Sequence, residues 1–195
     1  TPEMPNFERY LGEWGVKPQR LMVLDDTRAI NYQNNIVADI ISQEMTKELT
    51  GSGLLTVSPS SIGWEILWES NQWHATYPIL KSSSSSYGRA LDSDAQTMAR
   101  VDEDVSGPFN VMVEAKLYDP NHEIDSKILL GSTYAAADSL LQSGTFANKQ
   151  LFNAALKDFN DEGVSVVVVP KQYISAQLTI QSGQAKTIFY ALVVV

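Results

Sequence analysis

The chain has 195 residues and a formal charge of -9, from 14 Lys and Arg against 23 Asp and Glu, with two histidines and no cysteine. An acidic surface opposes nucleic acids and anionic lipid headgroups, which need a basic face. The missing thiols exclude a disulfide framework, a Cys-ligated metal and a thiol nucleophile, a usage that fits an extracytoplasmic bacterial domain. One domain is expected at this length, burying roughly 70% of its unfolded surface. No signal peptide stands at the start, and no apolar run approaches the ~20 residues that span a bilayer.

Asn6 is placed to cap a short helix through Trp14, with Phe7, Tyr10, Leu11 and Trp14 on one face and Gly15 ending it. Leu21 to Leu24 reads as a buried strand with Asp25-Asp26 at its carboxyl end. From Asn34 to Leu49 the apolar positions Ile36, Val37, Ile40, Ile41, Met45 and Leu49 lie close to helical spacing, and Ser42 could cap a second, shorter helix. Leu54 to Val57 offers a short strand, and Ser58-Pro59-Ser60-Ser61 a turn. The aromatic-rich segments Ile62 to Trp68 and Trp73 to Leu80 are expected to be extended and to pair as a hairpin. Trp64, Trp68 and Trp73 are expected to fill core or cover a sheet edge rather than form an exposed platform. The serine run Ser82 to Ser86 fits an ordered loop as well as a hinge.

Ala90 to Ser106 is polar and acidic, a surface connection with some helix. Phe109, Val111, Val113, Ala115 and Leu117 then alternate with Asn110, Met112, Glu114 and Lys116, the period of a strand with one wetter face. Ile128 to Leu130 and Val166 to Val169 are continuous apolar runs, as expected of strands covered by helices on both sides. Between them Leu151, Phe152, Ala155, Leu156 and Phe159 form one helical stripe, expected to pack on those two strands. The order implies an α/β domain with a layered, mostly parallel sheet flanked by helices, occupying residues 1-195 as a single domain.

The chemical inventory is thin. There is no G-x-S-x-G elbow, P-loop, H-E-x-x-H, EF-hand loop or G-x-G-x-x-G. His74 falls in an expected strand and His122 in the Asp119-Pro120-Asn121 turn, positions that suit structural or solvent roles. No catalytic set, cofactor or metal is expected. Asp25 and Asp26 are the leading polar candidates for a binding site, because ligands of open α/β sheets lie beyond the carboxyl ends of strands. Adjacent residues of an extended chain point to opposite sides, which favours turn-forming aspartates over paired metal ligands. Ser132, in the turn Gly131-Ser132-Thr133, is the other candidate, since a small-residue strand-to-helix turn can offer backbone N-H groups to an anion.

Several segments together resemble one family. FERYLGEWGVKPQRLMVLDD, NNIVADIISQEMTKEL followed by TVSPSSIGWE, YPILKSSSSSYGR, GPFNVMVEAKLYD, SKILLGSTYAAAD and NKQLFNAALKDF leading into VSVVVVPK are similar to the extracytoplasmic domain of GldG-type ABC-transporter auxiliary proteins, the group that includes gliding-motility-associated components. Where such proteins often have Gly-Asn and a Trp-containing helix end, this chain has Ala147-Asn148 and Lys157-Asp158-Phe159. The resemblance implies a flavodoxin-like or glutamine-amidotransferase-like architecture without amidotransferase catalytic residues, and an incomplete portion of a larger domain with strands before Thr1. It also implies a non-enzymatic auxiliary domain on the extracytoplasmic face of a bacterial cell membrane, partnered by the ABC-2-type permease and ATPase of its system.

The alternatives are a TolB-like assembly lipoprotein domain and a hydrolase or carbohydrate-binding module built on the tryptophan-rich segment. Gln184 to Val195 becomes more apolar toward its end, with Lys186 its only charge. A transmembrane helix is therefore expected to follow Val195 in the full-length protein.

Overall fold

The computed structural model describes residues 4-160. Helix α1 (Pro5–Glu13) leads into β1 (Val16–Leu24), β2 (Ala29–Ile30), β3 (Tyr32–Ile40), β4 (Thr56–Pro59) and β5 (Ile62–Ile66). Then come β6 (His74–Lys81), β7 (Tyr87–Ala90), β8 (Val105–Ser106), β9 (Asn110–Tyr118) and β10 (Ile124–Gly131). A 3-10 turn (Thr133–Ala136), α2 (Asp138–Leu141) and α3 (Asn148–Phe159) complete the described residues. The strands connect in the order β2-β3-β6-β9-β5-β1-β7-β8, with β10 beside β9 and β4 beside β3.

Every pairing between these strands is antiparallel, which overturns the expected parallel α/β sheet. The fold is mostly antiparallel β and sandwich-like, neither flavodoxin-like nor amidotransferase-like. Short connections are the physical reason. A parallel pair needs a crossover of about a dozen residues or more. Only Asn31 separates the paired strands β2 and β3, and only 119-123 the paired strands β9 and β10, while the two-residue link Ser60-Ser61 carries the chain from β4 to β5, which pair with other strands. Asn31, Ser60 and His122 take the positive φ values (66, 47 and 63°) that such tight reversals demand. In the last of these turns, Asp119 Oδ1 accepts the backbone N-H groups of Asn121 (2.8 Å) and Glu123 (2.9 Å).

Several local expectations change with the sheet. The segment expected to be helical from Asn34 is β3, and Ile36, Val37 and Ala38 are buried in succession. β2 and β4 flank this strand, and its β-branched residues suit a pleated environment covered on both faces. The expected hairpin between the tryptophan-rich segments is absent: β5 pairs with β1 and β9, while β6 pairs with β9 and β3. Residues 91-104 contain no helix. α1 starts at Pro5, so Asn6 lies inside its first turn rather than capping it. Gly15 does end that helix at φ 78°, and a Cβ there would sit 2.9 Å from the Trp68 ring.

Two apolar layers hold the sheet. Leu11, Trp14, Val16, Trp64, Val113 and Ala115 form the layer under α1. On the side of α3, Leu151 and Ala155 pack with Ile79, Leu80 and Met112, and Phe152 and Leu129 adjoin them. Thus Leu151, Phe152 and Ala155 of the expected stripe do face the core, whereas Leu156 and Phe159 are exposed. Leu129 of the expected Ile128-Leu130 strand lies in that layer, and Val166 to Val169 fall outside the described residues. Asn148 fixes the start of α3: its side chain accepts the Val57 N-H (3.0 Å) and donates to the carbonyls of Val57 (2.8 Å) and Ala135 (2.9 Å). No helix among the described residues is long and apolar enough to cross a membrane.

Candidate functional site

The polar residues singled out in the sequence lie in two separate places. Asp25, only 1% exposed, ends β1 and closes the turn toward β2. Its Oδ1 accepts the N-H groups of Thr27 (2.8 Å) and Arg28 (2.9 Å) and the Thr27 hydroxyl (2.9 Å), while Oδ2 accepts the Ser83 hydroxyl. Burial alone would raise this carboxyl. The Ser83 hydroxyl and the Arg28 and Thr27 donors outweigh burial and hold it below the ordinary carboxylate range. The serine run is therefore an ordered corner, with Ser82, Ser83 and Ser86 buried and the Ser82 hydroxyl bonded to that of Ser86 at 2.7 Å.

Asp26 turns away and accepts the Tyr87 hydroxyl at 2.8 Å, so the adjacent carboxylates serve different partners. The Met98 carbonyl is a second acceptor that shares this single hydroxyl proton, and the Tyr87 pKa is raised by burial and by Asp26. Arg89 lies beside it, with Nε 2.9 Å from Asp104 Oδ1 and Nη2 2.6 Å from Oδ2, and it donates further to the carbonyls of Thr97 and Ala99. That fork pins the acidic 91-104 segment over a cavity of about 210 Å³ lined by Met22, Leu24, Leu91 and Met98. Ser132 is used structurally as well, donating to the Pro59 carbonyl. His74 is wedged between the rings of Trp14 (5.6 Å) and Trp68 (5.7 Å). No group of three or more His, Asp or Glu residues suited to a metal gathers among the described residues.

A different site emerges beside α3. Residues 44-49 and α3 enclose a groove of about 550 Å³, with Met45, Leu49 and Ala154 as apolar lining and Glu44, Lys47, Glu48, Lys157 and Asp158 carrying its charges. Thr46 shapes the first wall from within, because its buried hydroxyl donates to the Ile41 carbonyl and accepts the Gln43 N-H at 3.0 Å. Asn148 fixes the start of the other wall, and Lys127 of β10 clamps its far end by donating to the carbonyl (2.6 Å) and carboxylate (2.9 Å) of Asp158.

Behind Asp158 lies a pair of deeply buried charges. Glu114 and Lys116 point from β9 beneath α3, 1% and 3% exposed, with Glu114 Oε2 3.6 Å from Lys116 Nζ and Oε1 lacking any hydrogen-bond partner among the described residues. Burial pushes the Glu114 carboxyl up to about 7. Lys116 opposes the rise, whereas the Asp158 carboxylate adds to it through its charge and a hydrogen bond. Asp158 itself stays low, since Lys127 and Lys116 outweigh its own burial. Lys116 also sits 5.8 Å over the Tyr77 ring, and burial with a Tyr77 hydrogen bond lifts Tyr118 to about 12.

Sequence reasoning missed this cluster because the face carrying Glu114 and Lys116 reads as wetter. One signal pointed the other way: an apolar helix stripe downstream needs a sheet face to cover.

The fold and site define a class, an antiparallel, sandwich-like β domain with a groove walled by its last described helix. No family model and no curated protein matches the chain. Among solved structures, the mmIFT52 N-terminal domain has a similar fold, with a TM-score of 0.53 at 12% identity over 79% of this chain and 57% of that one. The chain thus spans a little over half the length of that structure, and the likeness concerns fold alone.

Proposed function

We propose that this chain is a non-enzymatic, extracytoplasmic auxiliary domain of an ABC-2-type transport system, acting through protein contacts made in the groove between residues 44-49 and α3. The observation that carries the reading is the build of that groove. An apolar lining from Met45, Leu49 and Ala154 beside Glu44, Lys47, Glu48 and Lys157 matches the apolar centre and charged rim of protein-protein contacts. Meanwhile Asp25, Asp26 and Ser132 hold loops in place. The assignment to a transport system draws on the GldG-type segments in the sequence. On this reading the partners are the permease and ATPase of the same system, at the outer face of the membrane.

Site-specific photo-crosslinking in cells tests it. A photoreactive residue at Asn153, which lines the groove, should give adducts with the permease when the full-length protein and its neighbouring transporter genes are expressed together. The same probe at Asp92, on the exposed 91-104 segment, should give none. Adducts from Asp92 and none from Asn153 would refute the groove as the contact.

A further inference from the structure

Glu114 differs from every other carboxylate so far described in being buried without a full set of donors. Lys116 Nζ, at 3.6 Å, lies beyond good hydrogen-bond range, and Oε1 has no partner among the described residues. Leaving an ionised carboxylate in that condition is costly, and the same group protonated is not. A protonated Glu114 has a fitting acceptor in the Asp158 carboxylate, carried by the last turn of α3: Lys127, directly opposite Lys116 across the β9-β10 pair, holds Asp158 at 2.9 Å and so keeps it over the sheet face that carries Glu114 and Lys116. The remaining groups around the pair are Lys116 and Tyr118 on β9, Tyr77 on β6, Lys127 on β10, and Glu44 on the opposite wall, whose charge reaches Tyr118.

We infer that the end of α3, and with it one wall of the groove, is seated by a proton shared between Glu114 and Asp158 and loosens when that proton leaves. With Glu114 neutral, Asp158 receives Lys127 from one side and the Glu114 hydroxyl from the other. With Glu114 ionised, two carboxylates face each other in a buried site, and the hydrogen bond between them is lost. Rising pH therefore works against the β9-α3 contact, through the range where Glu114 titrates at about 7. The consequence for a partner rests on the contact reading above; the proton linkage itself does not.

The test uses the whole 195-residue chain without a partner. In protein labelled at the glutamate side-chain carboxyl carbons, the resonance missing from Glu114→Gln identifies Glu114, and its midpoint is expected near 7. A midpoint at the ordinary glutamate value, about 4.3, overturns the proposal. Hydrogen exchange over 154-159, corrected for intrinsic rates and compared with α1, should lose about tenfold or more of its protection from pH 6 to pH 8.5 in the natural chain. In Glu114→Gln it should lose none, and equal losses in both chains overturn the proposal. If Glu114→Gln fails to fold, Asp158→Asn serves instead. By removing the facing charge it should lower the Glu114 midpoint, the resonance then being assigned through the chain, and an unmoved midpoint overturns the shared proton. A linkage found here beside absent Asn153 adducts would remove the contact reading and leave the switch standing.

Discussion

Two carboxylates in this fold are equally buried and behave oppositely. Asp25 and Glu114 are each 1% exposed, yet Asp25 is held below the usual carboxylate range and Glu114 is pushed up to about 7. Exposure does not separate them: Glu114 is set by burial that few donors offset, and Asp25 by donors that outweigh its burial. Asp25 ends a strand where the chain turns, so the N-H groups of Thr27 and Arg28 fall on it, and the serine corner supplies hydroxyls. Glu114 sits mid-strand, where the backbone N-H groups are committed to β6 and β10 and none can reach its side chain. A loop can satisfy a buried charge locally; the middle of a sheet has to recruit distant side chains.

The largest expected effect is Asp25→Ala, which strips the common acceptor from five donors in a buried corner, the N-H groups of Thr27 and Arg28 and the hydroxyls of Thr27, Ser83 and Ser85. Its cost should be about 3-5 kcal/mol in urea unfolding, comparable to breaking a buried pair. Because the Asp25 carboxyl is depressed in the folded state, its stabilisation is present above the unfolded aspartate value and is lost as pH falls through the lower folded one. Asp25→Asn should keep part of the corner and lose that acid dependence. An Asp25→Ala cost below about 1 kcal/mol would erase the contrast with Glu114.

The Glu114 dependence has the other sign. Its folded value lies above the unfolded one, so the folded state binds the proton more tightly and stability falls as pH rises from about 4.5 to about 7. The total loss is on the order of 3 kcal/mol. Thermal or urea unfolding at pH 5 and 8 measures it, and Glu114→Gln should flatten the profile. Replacing both charges, in Glu114→Leu with Lys116→Met, should leave stability equal or raise it by about 1-3 kcal/mol at pH 8, as apolar replacement of buried ion pairs often does. A pronounced loss in the double variant would mean that the pair stabilises the fold outright.

How much of this was legible follows the same division between local and distant. β1 around Leu21 to Leu24, β9 as a strand and the inward half of α3 could be read because their signals are periodic within one segment, but the face of β9 expected to be wetter is buried. β3 could not, since apolar residues at 36, 37, 40 and 41 suit a helix face and a doubly covered strand alike. Strand direction was likewise hidden: apolar runs such as Ile128-Leu130 report coverage but not orientation, and the short turns that force antiparallel pairing are visible only once β2 and β3 are known to be strands. At the site, Asp25 and Asp26 drew notice because they stand together at a strand end. The groove and its buried charges come from residues 44-49, 114-116, 127 and 150-158, and no sequence window holds them all.

The smallest expected effect checks that burial is what gives both carboxylates their weight. Arg28 and Asp39 form a two-point pair at 2.9 and 2.7 Å, with better geometry than Glu114 and Lys116, but their side chains are 36% and 55% exposed. Water already solvates both groups, and salt screens them, so little free energy changes when the pair forms. Asp39→Asn should therefore cost about 0.5 kcal/mol in low salt and less at 1 M, where the Debye length is about 3 Å. The Asp25 and Glu114 effects should survive that salt, since buried charges are screened much less. Equal salt sensitivity at all three positions would show that solvent reaches the buried sites, and the contrast between Asp25 and Glu114 would then need another cause.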